Sequence, residues 1–394
     1  MKIGVIGAGR LGICFALLCE EAGYEVLASD VRKDYVDSLN RKEIVTNEPE
    51  VHHLLKNSKN FTATTDNRQV IRECDLIYTL VSTPSLEDGS YDISSVWNVV
   101  EDIKSEMESV ANHPKNFVVG CTTNPGDCDE FRKVLPQSVK VFYNPEFIAQ
   151  GTIIKNLREA DMVLLGYETD TYGMAIDDQI ITEITNLYKK IQTTRAIVCT
   201  MSTTAAEVTK IAVNCYLTTK ISYANMLGDT LHRAGCGGEV TSVLSAIGTD
   251  SRVGRKFLNW GVGYGGPCLP RDNRAFAAFA EKLGMDYNLG WCTDGINNEH
   301  AEFITEYWWE MNHSKCPFYF DYISYKYGTD IVEESQQLRL CTDLLEKGAK
   351  VYIRSDGRID EQVYTDLISK YGHDNVKIVD GKEYIKEDIF VVNL

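Results

Sequence analysis

The sequence has no CxxC pair and no Cys/His grouping at metal-ligand spacing, so its 12 cysteines build neither a zinc site nor a thioredoxin-like redox motif, and no metal is expected. Their density is too low for a small secreted disulfide scaffold; reduced thiols in a cytoplasmic protein fit best. No window approaches roughly 18 uncharged apolar residues, which excludes a membrane-spanning helix. The N-terminus, MKIGVIGAG, lacks an apolar signal core and a cleavage site and runs straight into a strand. Positive charge is scarce too: 40 Lys and Arg face 57 Asp and Glu, a formal net charge of −17. With no basic surplus to neutralise phosphates, nucleic acid and anionic membranes are not expected as partners. An anionic ligand must be held by a few well-placed cations and backbone N–H groups. Short-period repeats and low-complexity tracts are also absent.

What is present is a globular composition, 44% hydrophobic and 25% charged. At roughly 150 residues per domain the chain holds two to three domains. Lys2–Ile6 reads as a strand, Leu11–Ala22 as a helix closed by Gly23, and Glu25–Ser29 as a second strand. Apolar runs at Leu76–Val81, Phe117–Gly120, Val139–Tyr143 and Met162–Gly166 continue the alternation, which predicts a parallel α/β sheet. From Thr203 to Arg233 the period becomes that of one long helix. More helix and a glycine-rich loop follow to about 300, and Ala301–His313 reads as a helical connection. Strand-like Tyr319–Ser324, a helix over Glu333–Lys347 and strand Lys350–Arg354 then form a second, smaller α/β unit. The expected division is 1–200, 201–300, 301–314 and 315–394. The fold class is thus two Rossmann-like α/β domains joined by a central helical domain.

Gly7-Ala8-Gly9-Arg10-Leu11-Gly12 is a GxGxxG between a strand and a helix. Its glycines permit a tight turn and close backbone approach, so that a diphosphate sits on the helix N-terminus. Asp30 follows Gly12 by 18 residues, at the end of the second strand, where a carboxylate accepts from ribose hydroxyls. The pair predicts a dinucleotide site. Asp30 favours NAD over NADP by repelling a 2′-phosphate, although Arg32 and Lys33 beside it suit such a phosphate.

Gly261–Asp272 reads GVGYGGPCLPRD, a rigid loop of little side-chain bulk around Cys268, with Arg271 and Asp272 close by. Cys14, Cys199 and Cys215, by contrast, lie in apolar helix or strand patterns and read as inert core.

The Cys268 loop resembles the GxGGxCxPKD signature of the UDP-glucose/GDP-mannose dehydrogenase family, the nucleotide-sugar 6-dehydrogenases. The resemblance spans nearly the whole chain in order. It takes in the glycine turn with Asp30, Val81-Ser82-Thr83-Pro84 with Asp88-Gly89, Cys121-Thr122, and Asn144-Pro145-Glu146-Phe147. It continues through Glu207, Lys210 and Asn214 on the long helix, Asp250–Gly254 with Phe257-Leu258-Asn259, the Cys268 loop, and Tyr325-Lys326 with Thr329-Asp330 and Glu334-Ser335.

The resemblance implies oxidation of a primary alcohol to a carboxylic acid with two NAD, UDP-glucose being the default substrate. It makes Cys268 the nucleophile, Lys210 and Asn214 the oxyanion donors, Glu146 the general base, and Asp272 with Thr122 the holders of a proton-accepting water. Gly7, Gly9, Arg10, Leu11, Gly12, Asp30, Val81, Thr83, Pro84, Thr122 and Arg271 bind the cofactor. Glu146, Phe147, Lys210, Asn214, Arg252, Phe257, Leu258, Gly265 and Lys326 bind the nucleotide sugar. Arg252 would reach a neighbouring subunit's site and the long helix would form a dimer core, so a homodimer or higher assembly is expected. Several positions depart from the family pattern: Arg10 stands for Tyr, Gln150 for an acidic residue, Arg271 for Lys, and Glu333 for Arg. Past the final strand, Phe390–Leu394 falls short of the helical tail many members have. Two other readings stay open: a two-electron β-hydroxyacid-type dehydrogenase, and a non-catalytic protein that binds NAD or a nucleotide sugar.

Overall fold

The computed structural model describes residues 1–109, 114–169, 178–355 and 357–392. The chain divides into two compact units, Met1–Ile211 and Ala212–Leu394. The expected boundaries near 300 and 314 fall inside the second.

The first unit runs β1 (Lys2–Ile6), α1 (Arg10–Glu21), β2 (Glu25–Ser29), α2 (Lys33–Arg41), α3 (Val51–Asn57), β3 (Phe61–Thr64), α4 (Asn67–Glu73) and β4 (Leu76–Thr79). It continues with α5 (Ser94–Ser109), β5 (Lys115–Val119), α6 (Asp127–Val134), β6 (Val139–Tyr143), α7 (Ile153–Arg158), β7 (Met162–Tyr167), α8 (Asp178–Ile191) and β8 (Ile197–Ser202). One sheet results, in the order β3-β2-β1-β4-β5-β6-β7-β8. Strands such as Leu76–Thr79, buried at every residue, read as unbroken apolar runs because helices cover both sheet faces. Phe15, Tyr78 and Tyr188 pack on one face, and Ile77, Phe117 and Phe131 on the other. The chain order reverses between β1 and β4, and a crevice outside the carboxyl ends of such strands is where α/β sheets bind ligands.

The sheet departs from the expected all-parallel pattern at one place. β7 meets β6 antiparallel, with Tyr143 opposite Gly166. The segment between them, which carries Glu146 and Gln150, therefore stays at the C-terminal end of β6 instead of crossing back along the sheet.

The long helix α9 spans Thr203–Arg233, as its apolar period predicts. A Gly inside a helix costs about 1 kcal/mol relative to Ala, yet Gly228 has a reason: a Cβ there would lie 2.0 Å from the Trp260 ring.

The second unit continues with α10 (Val240–Thr249), α11 (Leu269–Lys282), α12 (Leu289–Met311), β9 (Phe318–Phe320), α13 (Gln336–Glu346), β10 (Val351–Arg354), α14 (Glu361–Tyr371), β11 (Val376–Val379) and β12 (Phe390–Val391). Its sheet is parallel throughout, in the order β11-β10-β9-β12, around a core that includes Phe318, Phe320, Leu344 and Val351. Helix α13 starts later than its sequence pattern predicts because Ser335 caps it, its side chain accepting from Leu338 N–H. Likewise, the glycine-rich loop ends at Cys268 rather than Asp272. Leu269–Asp272 form the first turn of α11, where Pro270 fits because the first helical N–H groups have no intrahelical partner. Among the described residues, no helix is long and apolar enough to cross a membrane.

Candidate active site

In the first unit the glycine turn is shaped by close contacts. A Cβ on Gly12 would lie 1.9 Å from the Gly7 carbonyl oxygen, and Gly7 itself sits at φ 95° with Leu80 backbone 2.8 Å from a Cβ position. Gly9 differs. A Cβ there would meet no protein atom within 4 Å, yet the residue lines a cleft of about 460 Å³ together with Asp30, Arg32 and Val81. Bare backbone facing open space at a helix N-terminus suits a diphosphate, so the residues present fit a dinucleotide.

At the cleft's other end Arg32 grips Asp30 with two parallel hydrogen bonds, Nε to Oδ1 at 2.8 Å and Nη2 to Oδ2 at 2.9 Å. Burial pushes the Asp30 carboxyl up, but the Arg32 hydrogen bonds and charge outweigh it and hold the group below the usual carboxylate range. Arg32 also lies over the Tyr35 ring. Thr83 is buried in the stretch after β4 that also holds Pro84, and Thr122 is half-buried just past β5.

Two departures from the family pattern meet here. Arg10, at the start of α1, donates from Nη1 to Gln150 Oε1 at 3.0 Å. Leu11 follows it, partly buried against the core.

Glu146 sits in a polar knot beyond β6. The Tyr188 hydroxyl donates to it and lies 2.8 Å from Asn144 Oδ1, while Asn144 donates to the Leu164 carbonyl at 2.9 Å. Burial raises the Glu146 carboxyl to about 7, against the opposing pull of the Tyr188 hydrogen bond and the Lys210 charge. Lys210 donates to the Glu146 carbonyl at 2.8 Å and lies over the Phe147 ring at 4.8 Å. One turn earlier on α9, Glu207 is fully buried. It accepts from Gly126 N at 2.6 Å, Cys128 N at 2.9 Å and Thr123 Oγ1 at 3.0 Å. It thereby satisfies the start of α6, where Gly126 offers no side chain to cap it.

In the second unit Cys268 is exposed at the N-cap of α11, where an anion is stabilised. One turn on, Asp272 is buried and accepts from Asn214 Nδ2 at 2.6 Å; Arg271 is half-buried beside it. The glycines before the cysteine are required by packing. A Cβ on Gly265 would lie 2.2 Å from the Glu334 carbonyl oxygen, and one on Gly266 would lie 2.3 Å from the Tyr325 ring. Glu334 is itself clamped by Arg274, Nη1 to Oε1 at 2.6 Å and Nη2 to Oε2 at 3.0 Å. Leu258 is buried, while Phe257 is exposed at φ 59°. Arg252 lies on the surface, paired with Asp250 at 2.7 Å. Lys326 and Glu333 are exposed as well. Thus the structure gathers Gly7, Gly9, Asp30 and Val81 at one cleft, Glu146, Phe147 and Lys210 at a second point, and Cys268, Asp272 and Asn214 at a third.

Sequence reasoning missed Tyr188, which stands in no motif and touches Glu146 from 42 residues away. It also gave Glu207 no task, since helical spacing does not reveal that a carboxylate reaches another helix's start. Among the described residues, no group of three or more His, Cys, Asp or Glu is placed to hold a metal ion.

Glu207→Ala leaves the buried Cys128 N–H, the half-buried Gly126 N–H and the buried Thr123 hydroxyl without their acceptor, at about 1–3 kcal/mol each. The variant is expected to lose at least about 3 kcal/mol in urea unfolding, whereas an exposed control such as Glu239→Ala stays within about 0.5 kcal/mol.

Comparison with known proteins agrees with this geometry. Residues 1–192 match the model of the UDP-glucose/GDP-mannose dehydrogenase family, NAD binding domain, and residues 204–299 match that family's central domain. The chain is 28% identical over 367 residues to a UDP-glucose 6-dehydrogenase of Pseudomonas aeruginosa, covering 89% of this chain and 78% of that one. It is 28% identical over 370 residues to the UDP-glucose 6-dehydrogenase AglM of Haloferax volcanii, covering 89% and 82%. Among solved structures, a UDP-glucose dehydrogenase from Pyrobaculum islandicum shares the fold at a TM-score of 0.82 and 23% identity, over 99% of this chain and 89% of that one. A UDP-D-ManNAc dehydrogenase from Pyrococcus horikoshii does so at 0.73 and 21%, over 99% of each. With both family domains matched in order, and a bare glycine turn and an exposed thiol where the shared motifs lie, this chain belongs to the UDP-glucose/GDP-mannose dehydrogenase family of NAD-dependent nucleotide-sugar dehydrogenases.

Proposed function

We propose that this protein oxidises the C6 primary alcohol of a nucleotide sugar, by default UDP-glucose, to the carboxylate. The observation that carries this reading is the exposed Cys268 thiol at the N-cap of α11, one turn from the buried Asp272 that Asn214 holds. NAD, held by the Gly7–Gly12 turn and Asp30, supplies the hydride acceptor for both oxidations. The net change is RCH2OH + 2 NAD+ + H2O → RCOO− + 2 NADH + 3 H+. A simple alcohol dehydrogenase stops at the aldehyde; Cys268 provides the way on. Its sulfur bonds to the aldehyde carbon and the carbonyl electron pair becomes an oxyanion, for which Lys210 and Asn214 are the donors. Loss of the second hydride leaves a thioester on Cys268. Glu146 then takes a proton from water as the water oxygen bonds to the acyl carbon, and the C–S bond breaks with its electrons returning to sulfur. Thr122 and Asp272 hold the water that accepts the alcohol's proton, and Arg252, Phe257, Gly265 and Lys326 serve the nucleotide sugar.

The choice of UDP-glucose rests on relatives named as UDP-glucose 6-dehydrogenases; structural neighbours named for other sugars, such as UDP-D-ManNAc, share the fold. All 12 cysteines are free, which suits a reducing compartment, and we place the reaction in the cytoplasm. We also propose a homodimer. Tyr216, Tyr223 and Met226 recur along one side of α9 and are all exposed, large apolar groups that a second copy would cover.

A panel of UDP-glucose, a UDP-N-acetylhexosamine and GDP-mannose, each incubated with NAD, tests the chemistry. The expected result is two NADH and one acid per sugar for one member of the panel, with acid formation abolished by Cys268→Ser. One NADH per sugar and no acid would establish the two-electron reading instead, and binding without NADH formation the non-catalytic one.

The pH profile tests Glu146. Its carboxyl is raised to about 7, so below that pH the group carries its proton and cannot act as a base. Acid formation is expected to fall about tenfold per unit below pH 7, and Glu146→Gln to remove this limb while the thioester accumulates. A flat profile between pH 5 and pH 7 contradicts the role. Light scattering is expected to give about twice the 44.3 kDa chain mass; a monomer at micromolar concentration excludes the dimer.

A further inference from the structure

The second unit buries a His–Asp pair that the reaction scheme leaves unused. His300 on α12 and Asp229 on α9 are nearly inaccessible, at 1% and 7% exposure. His300 Nδ1 lies 2.7 Å from Asp229 Oδ2, and its Nε2 lies 2.5 Å from the Gly261 carbonyl oxygen. A carbonyl only accepts, so Nε2 carries a proton. The other Asp229 oxygen accepts from Trp260 Nε1 at 2.8 Å. Trp260 and Gly261 are the residues at which the chain enters the glycine-rich loop ending at Cys268.

Independent contacts fasten the same stretch. Asn297, one turn before His300 on α12, is buried and bonds both backbone groups of Tyr264: it accepts from Tyr264 N at 2.9 Å and donates to Tyr264 O at 3.0 Å. A Cβ on Gly263 would lie 2.2 Å from Asn297 Oδ1. The Trp260 indole fills the notch at Gly228 and lies 4.7 Å from the His232 ring. Four glycines lie between Trp260 and Cys268. Glycine surrenders the most conformational freedom on ordering, so a loop this rich in it holds one shape only if it is fastened from outside.

We propose that the Asp229–His300 pair is the positioning device of the nucleophile loop: by holding Trp260 and the Gly261 carbonyl, it sets where the Cys268 thiol stands. This rests on the reading of Cys268 as the nucleophile, and on its own geometry for the rest. A reactive sulfur must be presented to an electrophile within a few tenths of an ångström, and a glycine loop without such an anchor samples many positions.

Three full-length variants test the proposal: His300→Leu, His300→Gln and Asp229→Asn. The readouts are the rate of Cys268 alkylation by iodoacetamide, followed by mass of its peptide, and kcat and KM with UDP-glucose and NAD. For His300→Leu, the alkylation rate is expected to change and kcat to fall, each by about tenfold, the effect of one hydrogen bond to a charged group. KM for NAD should stay within about twofold, because the glycine turn and Asp30 are untouched. His300→Gln still donates to the Gly261 carbonyl and should recover most of the loss. Asp229→Asn keeps the indole bond and the side chain's shape, so it reports on the pair even where His300→Leu fails to fold. A folded variant with wild-type alkylation and kcat overturns the proposal, as does a lowered Tm with both rates unchanged. Should Cys268→Ser retain acid formation, the nucleophile reading fails, while the alkylation rate still decides whether the pair positions the loop.

Discussion

A carboxylate removed from water must be met by donors, or it costs several kcal/mol. That requirement organises the polar clusters of this protein. Glu207 answers to two backbone N–H groups and a hydroxyl, and so ties α9 to the start of α6. Glu146 answers to Tyr188, and burial raises its carboxyl to about 7. Asp272 answers to Asn214, and Asp229 to an indole, with His300 Nδ1 2.7 Å from its other oxygen. Removing any one acceptor strands buried or half-buried donors, so these acids cannot be exchanged as freely as surface ones.

Close packing explains why several of the glycines stand where they do. Gly12, Gly228, Gly265 and Gly266 each occupy a place where a single methyl would strike backbone or a ring. Gly9, by contrast with these four, is bare toward open space. Close packing accounts for the first four, and the bare backbone of the fifth leaves room for a ligand at the start of α1.

Much of the fold was legible in the chain. Buried strands such as Leu76–Thr79 announce a sheet covered on both faces, and the apolar period of α9 marks both its ends. The glycine turn with Asp30 and the Cys268 loop stand out in the chain because each is a local pattern, within Gly7–Asp30 and Gly261–Asp272. What escaped is what depends on distant partners. Tyr188 reaches Glu146 across 42 residues and His300 reaches Asp229 across 71, and neither leaves a periodic trace. The reversal of β7 was hidden because side-chain alternation is the same for either strand direction. The start of α11 at Leu269 was masked by the glycines and prolines around it, which read as loop although Pro belongs at a helix's first turn.

The contact between Arg10 and Gln150 has a consequence of its own. An acid at position 150 would add a negative charge opposite the guanidinium; an amide orients the guanidinium without adding one. Against the family pattern, Arg10 for Tyr and Gln150 for an acid thus shift the local field beside the glycine turn towards positive, in a chain whose sum is −17. Such a field, exposed to solvent, reaches only about 10 Å at 0.1 M salt. Any pull of that field on the diphosphate of a dinucleotide is therefore a short-range affair, felt at the doorway and sensitive to ionic strength.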